Sequence, residues 1–424
     1  MTAFPEDIMP DAKRRRFRLP GWPVMVIGVC LLLLIGAPMF AWGQAYDNPV
    51  VKIPLPAMPS PNAYDYYLRA ANLLPPVLVD PAQLSTLTPA QRATMLALRA
   101  QVLALYTQGT QFPCLSPPIR SYDTRMPYLL KYRRLAWYFA DLAIMAGEQR
   151  KWAEAMEDSL ILLRFSADSI HGSNLIGALV GYPCAGIGRQ QAWNALDHLS
   201  PTEARTALET MEEINAREVP FSQIMLEEKW FDEASLLEIF HAPHWQEVYV
   251  REHDVGNTDS IARSSLATVN KRVSFTRLQA YFDTCIAMTK GPFSRRTPDA
   301  QLVPDDIICR MSVPVCEKGW VKSLQTITGN RLLTMQLALR AYHGEHGVYP
   351  ARLAPLVTGG YLHKLPDDPF ALSGSFHYRR KEGDDLLYSV GPDGIDDGGK
   401  PIMNKDHPIQ VESKGDIVAG VNRL

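Results

Sequence analysis

Residues 386–399 read LLYSVGPDGIDDGG, an apolar strand that runs into an acidic loop. The loop carries three aspartates within five residues, namely Asp393, Asp396 and Asp397. Its glycines free the backbone, and carboxylates together with backbone carbonyls are the oxygen ligands that calcium takes. No glutamate closes the loop at the spacing of an EF-hand. The loop is therefore either a calcium site of another kind or an acidic surface turn, where Asp and Gly are also favoured.

The residues before this loop have the periodicity of a long helix. Apolar side chains from Val321 to Tyr342 recur on one helical stripe, which ends at the sequence HGEHG of residues 343–347. A second short helix is predicted from Leu353 to Leu356. The apolar runs 376–378 and 386–388 then predict a β-hairpin that leads into the acidic loop.

This ordered series resembles the soluble part of the major pseudopilin of type II secretion systems. The resemblance covers residues 318–424 and rests on a succession of short motifs after the long helix. In chain order these are GVYP (347–350), GYL (360–362), LPDDP (365–369), YSVGPDG (388–394) and Asp416-Ile417. It implies an α+β module with a small antiparallel sheet. It also implies that calcium is bound by Asp393, Asp396, Asp397 and Asp416, and that the ion holds the loop in place without performing chemistry.

The chain also departs from that family at its N-terminus. A pseudopilin begins with a short basic leader, a peptidase site containing a glutamate, and an apolar helix continuous with the helix of its globular domain. Here the basic segment leads into LPGWP (19–23), without the cleavage site or the glutamate. We therefore expect a borrowed globular module and not a filament subunit, with a divergent pseudopilus component as the alternative.

The N-terminal region predicts a membrane anchor. Five basic residues in the first twenty precede an uncharged run, and Trp22 and Trp42 flank its apolar part, as expected at membrane interfaces. We predict a transmembrane helix over residues 20–45, with the basic tail 1–19 in the cytoplasm. The bulk of the chain then lies in the periplasm, beyond a bacterial inner membrane. A cleaved signal peptide is the alternative, because residues 43–45 offer a small-residue cleavage site.

The residue composition and the hydrophobic pattern of the chain limit the possible fold classes. The chain has 424 residues, of which 46% are hydrophobic and 21% charged, as in globular proteins of more than one domain. A net charge of -2 gives no electrostatic reason to expect nucleic acid as a partner. We predict a mainly α protein in five segments. These are a basic tail (1–19), a transmembrane helix (20–45), an irregular helical domain (46–300), a linker (301–317) and the pseudopilin-like domain (318–424).

Within the helical domain, the clearest unit spans residues 127–168. A turn at Gly147 is followed by Trp152 and two alanines, which resembles one tetratricopeptide-like helix pair. A weaker echo follows at residues 192–204. Too few copies are present to predict a repeat array, so we expect an irregular, solenoid-like helical domain.

The cysteines fit an oxidising compartment. Five of the six follow the predicted membrane segment, and Cys309 with Cys316 could close a small disulfide-bonded loop. The odd number leaves at least one thiol free or bonded to another chain.

The sequence contains only weak indications of a catalytic or metal-binding site. The densest set of metal-capable side chains contains His241, His244, Glu247, Glu252 and His253. Two histidines and a carboxylate could bind a transition metal, but Pro243 interrupts the helical face they would share, which favours a surface loop. The four acidic residues within 227–233 are expected on a solvated helix face.

These observations predict an interaction or scaffold protein and not an enzyme. Its helical domain would contact envelope or secretion proteins, and calcium would stabilise its C-terminal module. The alternative is a metal-dependent hydrolase in the helical domain.

Overall fold

The computed structural model describes residues 48–75, 87–253, 264–293, 296–314, 316–381, 384–403 and 409–422. Helices dominate these residues, and one small antiparallel sheet of three strands accompanies them, which confirms the mainly α prediction. The predicted anchor over 20–45 lies outside the described residues. No helix in the described part of the chain combines the length and the apolar composition that a bilayer span requires.

Thirteen helices and three strands lie in the described residues. The helices are α1 (Ala63–Asn72), α2 (Pro89–Gly109), α3 (Tyr128–Glu148), α4 (Trp152–Ile170), α5 (Leu175–Leu196), α6 (Pro201–Asn215), α7 (Phe221–His241), α8 (Trp245–Glu252), α9 (Lys271–Met288), α10 (Asp299–Leu302), α11 (Ile307–Ser312), α12 (Cys316–His346) and α13 (Ala354–Thr358). The strands are β1 (His377–Lys381), β2 (Asp384–Ser389) and β3 (Ile417–Val418).

Local sequence signals set several helix starts. Thr88 and Ser200 each cap a helix with a proline in the first turn, and each forms a reciprocal capping box with the residue three positions later. The helix pair expected over 127–168 is present as α3 and α4, which pack against one another. The proline-rich segment before α1 carries no helix, and Arg120 Nε donates to the Pro54 carbonyl at 3.2 Å.

Helix α5 lies at the centre of the helical layers and packs on α3, α4, α7 and α12. Its approach to α4 is close because glycine lacks a side chain. A Cβ at Gly181 would lie 2.6 Å from Ile170 Cγ1. Ser166 Oγ of α4 donates to the Gly181 carbonyl at 2.7 Å, which fixes the contact. A larger residue at this position would force the two helices apart.

Helix α12 joins the C-terminal module to these layers. It packs along α5 and α6, and glycines mark the close contacts. A Cβ at Gly344 would lie 2.6 Å from Pro201, and one at Gly329 would lie 2.6 Å from Arg189 Nε. One continuous core therefore extends from α3 to β3. A second core holds the aromatic side chains of α1 to α4.

The segment 301–317, which the sequence predicts as a linker, belongs to the first core. It contains α11 and the start of α12, and Ile308, Cys309 and Cys316 are all fully buried. Cys309 and Cys316, which the sequence suggests could pair, are not bonded to one another in this structure. Instead, the Cys309 thiol donates to the Ser274 carbonyl at 3.8 Å, because α11 packs against α9.

The hairpin predicted before the acidic loop is present. Strands β1 and β2 are antiparallel, with His377 opposite Tyr388 and Tyr378 opposite Leu387. Strand β3 adds to the other edge of β2 and is also antiparallel to it. The acidic loop connects the end of β2 to the residues that precede β3, so Asp416 lies beside it.

Candidate functional site

Asp416 is the organising carboxylate of the acidic loop. It is fully buried, and its Oδ1 and Oδ2 accept hydrogen bonds from the backbone N–H groups of Asp397 at 3.3 Å and Gly399 at 2.6 Å. Its own N–H donates to the Lys400 carbonyl at 2.8 Å. Burial raises the pKa of Asp416, and the charges of Asp396 and Asp397 raise it further. These three carboxylates are therefore close enough to interact electrostatically.

Asp396 connects the loop to the hairpin. Its Oδ1 accepts from the Gly398 N–H at 2.9 Å and from the Tyr388 hydroxyl at 3.0 Å, and its Oδ2 lies 3.2 Å from His377 Nδ1. The N–H of Gly398 is the largest of the interactions that hold the pKa of Asp396 below its ordinary value. The exposed end of the loop is thus tied to strands β1 and β2.

The remaining two predicted ligands are less constrained. Asp393 Oδ1 accepts from the Ile395 N–H at 3.2 Å, as in an Asx turn. Asp397 gives its backbone N–H to Asp416, and its side chain is exposed. Of these two residues, Asp397 is joined to another predicted ligand by a hydrogen bond, whereas the Asp393 side chain bonds within its own turn.

Asp368 is a residue of this site that the sequence reasoning missed. It is buried in the LPDDP turn, and its Oδ1 accepts from Ser389 Oγ at 2.7 Å while its Oδ2 accepts from the Val390 N–H at 3.0 Å. Burial raises the pKa of Asp368. Its carboxylate thus joins the turn to the end of β2. The motifs LPDDP and YSVGPDG are both visible in the sequence. The sequence does not show that Asp368 of the first binds Ser389 and Val390 of the second.

The donor chemistry of the loop suits calcium, but the arrangement is not an assembled metal site. In the described ranges, no group of three or more His, Cys, Asp or Glu side chains is placed to hold a metal ion. Asp416 and Asp396 already accept hydrogen bonds from backbone N–H groups, which would compete with a cation for the same oxygens. As described, the carboxylates organise the backbone of their own loop.

The prediction of a solvated acidic face on α7 is wrong. Glu228 and Glu233 are buried, because α5 and α9 cover the face of α7 that carries them. Glu228 Oε2 accepts from the Leu175 N–H at the start of α5, at 2.9 Å. Burial raises the pKa of Glu228 to about 7 and also raises that of Asp232, to which the charges of Glu228 and Glu233 add.

The histidine cluster is dispersed. His241 and His244 are exposed, whereas His253 is half-buried and stacks on Tyr249 at 4.0 Å between ring centroids. The Nε2 of His253 lies 3.2 Å from Ser312 Oγ, and its Nδ1 lies 3.0 Å from the Tyr249 carbonyl. Burial lowers the pKa of His253, which favours a neutral imidazole. A hydroxyl and a base thus meet at the distance that nucleophilic catalysis uses. Ser312 is 59 positions away from His253, so no local pattern indicated this contact.

A cleft with an apolar floor lies between α2, α4 and α6 and is here called the α2–α4–α6 cleft. Its volume is about 490 Å³. Apolar side chains from α4 and α6 form the floor, and threonine hydroxyls line the rim; they include Met156, Leu160, Ile161, Ala207, Thr110, Thr206 and Thr210. Arg164 also lines the cleft. Its Nη2 donates to the Thr110 carbonyl at 3.1 Å, and its buried Nε has no hydrogen-bond partner within the described structure.

Comparisons of the chain with protein-family models, with curated proteins and with solved structures find no match.

Proposed function

We propose that the protein is an interaction or scaffold protein, anchored in a bacterial inner membrane by residues 20–45, that binds an envelope or secretion protein in the α2–α4–α6 cleft. The observation that carries this proposal is the cleft of about 490 Å³, in which Arg164 lies beside an apolar floor. The side chain of Arg164 is 21% exposed, so a bound carboxylate could pair with its guanidinium. The apolar floor favours a partner segment that places aliphatic side chains beside that carboxylate.

Arg164 forms only a long ion pair with a neighbouring acidic residue, Glu213. Its Nη1 lies 3.6 Å from Glu213, and the side chain of Glu213 is 69% exposed. An exposed ion pair of this length contributes little. A carboxylate from a partner segment would therefore meet an arginine whose charge is only weakly compensated by this chain.

The test is a photo-crosslinking amino acid at Thr206, an exposed residue on the rim of the cleft. Illumination of cells should give one discrete product that contains an envelope or secretion protein. The product should be lost when Ala207→Trp fills the floor, and reduced by Arg164→Met. Thr284, exposed on α9, is the matched control position. A product that survives Ala207→Trp, or that forms equally from Thr284, would rule out the cleft as the binding site.

The second part of the proposal is a structural calcium ion at the acidic loop, as the pseudopilin resemblance implies. It is supported by the electrostatic proximity of Asp396, Asp397 and Asp416. A ligand that binds only the folded state raises the melting temperature. We expect calcium to raise that of the full chain relative to chelator, and Asp397→Asn to remove the rise. Asp305→Asn, whose side chain is 96% exposed outside the loop, should leave it unchanged. Equal melting temperatures with calcium and with chelator would show that the loop does not bind calcium and is held by its own hydrogen bonds.

A hydrolase in the helical region is the second candidate function. The contact between Ser312 and His253 supplies a hydroxyl and a base for a metal-independent version of it, beside the metal-dependent version predicted from sequence. A fluorophosphonate probe tests it directly. Our proposal predicts no labelling, whereas stoichiometric labelling that Ser312→Ala abolishes would replace the leading proposal with an acyl hydrolase.

A divergent pseudopilus component is the remaining alternative. Such a protein requires removal of its leader, so the N-terminus of the mature chain decides the point. We expect the mature protein to retain the basic residues that precede the segment 20–45. A mature N-terminus created by removal of the basic segment would instead favour the pseudopilus assignment.

A further inference from the structure

Two buried cysteines that the sequence does not pair lie side by side. Cys285 is on α9 and Cys316 is the first residue of α12, and both are completely buried. The two thiols are close enough for each to shift the pKa of the other. The other three described thiols have different surroundings. Cys309 donates to the Ser274 carbonyl, and Cys114 and Cys184 lie in the second core.

The contact between the two thiols is held in place on both sides. The Tyr281 hydroxyl, one turn before Cys285, donates to the Pro314 carbonyl at 2.6 Å, two residues before Cys316. On the far side, Asp299 and Glu317 each accept a hydrogen bond from the other's backbone N–H, at 2.9 to 3.2 Å. The start of α12 is thereby held beside both α9 and α10, which keeps the two cysteines near one another.

We infer that Cys285 and Cys316 form a disulfide that fastens the start of α12 to α9 when the chain folds in an oxidising compartment. The inference does not depend on the proposed binding function. It replaces the pairing of Cys309 with Cys316 that sequence proximity suggests. It also accounts for the odd number of cysteines, because Cys114, Cys184 and Cys309 remain as buried thiols.

The reaction is a thiol–disulfide exchange with a disulfide oxidant, such as glutathione disulfide or an oxidised dithiol oxidoreductase. One of the two cysteines supplies the first thiolate, since the thiolate is the attacking species. It attacks one oxidant sulfur, breaks the oxidant's S–S bond and forms a mixed disulfide. The thiolate of the other cysteine then attacks the Sγ of the first and releases the second oxidant sulfur. Two electrons and two protons pass from the cysteines to the oxidant.

Burial determines when this exchange can occur. Neither sulfur is exposed in the folded chain, so the oxidant must react before α12 packs against α9, or during an opening of that contact. We therefore expect rapid formation during refolding and slow formation in the folded, reduced protein. The bond closes a loop over the thirty residues between Cys285 and Cys316. A loop of that length should lower the unfolding equilibrium constant by a factor on the order of a hundred or more.

The sequence allows the pairing to be mapped directly. Trypsin places Cys285 in peptide 278–290, Cys309 in 297–310 and Cys316 in 311–318, because Arg310 separates the last two. The full chain is refolded from denaturant in a glutathione redox buffer, its remaining thiols are alkylated, and the unreduced digest is examined by mass spectrometry. We expect peptide 278–290 joined to 311–318, and its loss on reduction.

Two variants separate the pairing from a general failure to fold. Cys309→Ser should retain the joined peptides, and Cys285→Ser should leave Cys316 alkylated. Because the redox buffer is defined, the result does not depend on where the protein resides in the cell. Alkylation of both Cys285 and Cys316 after refolding in excess glutathione disulfide, or a bond between peptides 297–310 and 311–318, would overturn the inference.

Discussion

Replacing Glu228 by glutamine should remove much of the decline in stability that we expect as the pH rises. The side chain of Glu228 is 6% exposed, between α7 and the start of α5. Burial disfavours its charged form and raises its pKa from 4.5 to about 7. Asp232, one turn later on the same helix, has its pKa raised for the same reason and adds to the effect.

The direction follows from proton binding. Between pH 4.5 and 7 the folded protein keeps a proton on Glu228 that the unfolded chain has lost. Stability from this group is therefore greatest below the unfolded pKa and falls as the pH rises through the folded pKa. With 1.36 kcal/mol for each pKa unit, the decline amounts to about 3 kcal/mol. Glutamine keeps an oxygen for the Leu175 N–H and has no charge to desolvate.

The assay is urea unfolding of the full chain in detergent, followed by circular dichroism at several values between pH 5 and pH 8. The free energy of unfolding of Glu228→Gln should decline by about 3 kcal/mol less than that of the unaltered chain. Glu238→Gln, on an exposed position of the same helix, is the matched control for the loss of one carboxyl group. A slope for Glu228→Gln as steep as in the unaltered chain would refute the reasoning.

Two further predictions concern packing and a buried hydrogen bond, and urea unfolding at constant pH checks both. Asp168→Ala should destabilise the fold by about 1–3 kcal/mol, because it leaves the buried Tyr67 hydroxyl, which donates to Asp168 Oδ2 at 2.5 Å, without an acceptor. A loss below about 1 kcal/mol would mean that another acceptor replaces the carboxylate. Gly319→Ala should destabilise the fold by about 1–3 kcal/mol, since its Cβ would lie 2.8 Å from Phe221 Cζ. Gly147→Ala, with its nearest contact at 3.6 Å, should be neutral or stabilising by up to about 1 kcal/mol, and equal effects of the two changes would contradict the packing argument.

The elements that could be predicted from the sequence are those set by neighbouring residues. The capping boxes at Thr88 and Ser200 rest on side chains three positions apart. The pairing of β1 with β2 follows from two apolar runs and a short connection. In each case the residues that decide the structure are close together in the chain, so the pattern carries the information.

The elements that could not be predicted depend on contacts between distant residues. The acidic residues near Glu228 in the sequence are typical of an exposed helix face. Glu228 is nevertheless buried, because α5 and α9 cover that face. Sequence proximity paired Cys316 with Cys309, whereas the fold brings it to Cys285 on another helix. In the acidic loop, aspartate spacing indicated a cation site. It could not show that the N–H groups of Gly398 and Gly399 would occupy the same oxygens.

Helix α12 makes the acidic loop and the helical layers one cooperative unit. Gln336 of this helix donates to Asp385 of β2 at 2.8 Å, and Arg340 donates to the Leu199 carbonyl before α6 at 3.1 to 3.2 Å. Removing residues 318–424 from the chain would expose the apolar face that α12 buries against α5 and α6. A calcium effect measured on that fragment would therefore mix loop binding with the loss of this packing. Because both ends of α12 belong to one core, a cation bound at the loop must raise the unfolding temperature of the full chain, and the full chain is where the loop should be tested.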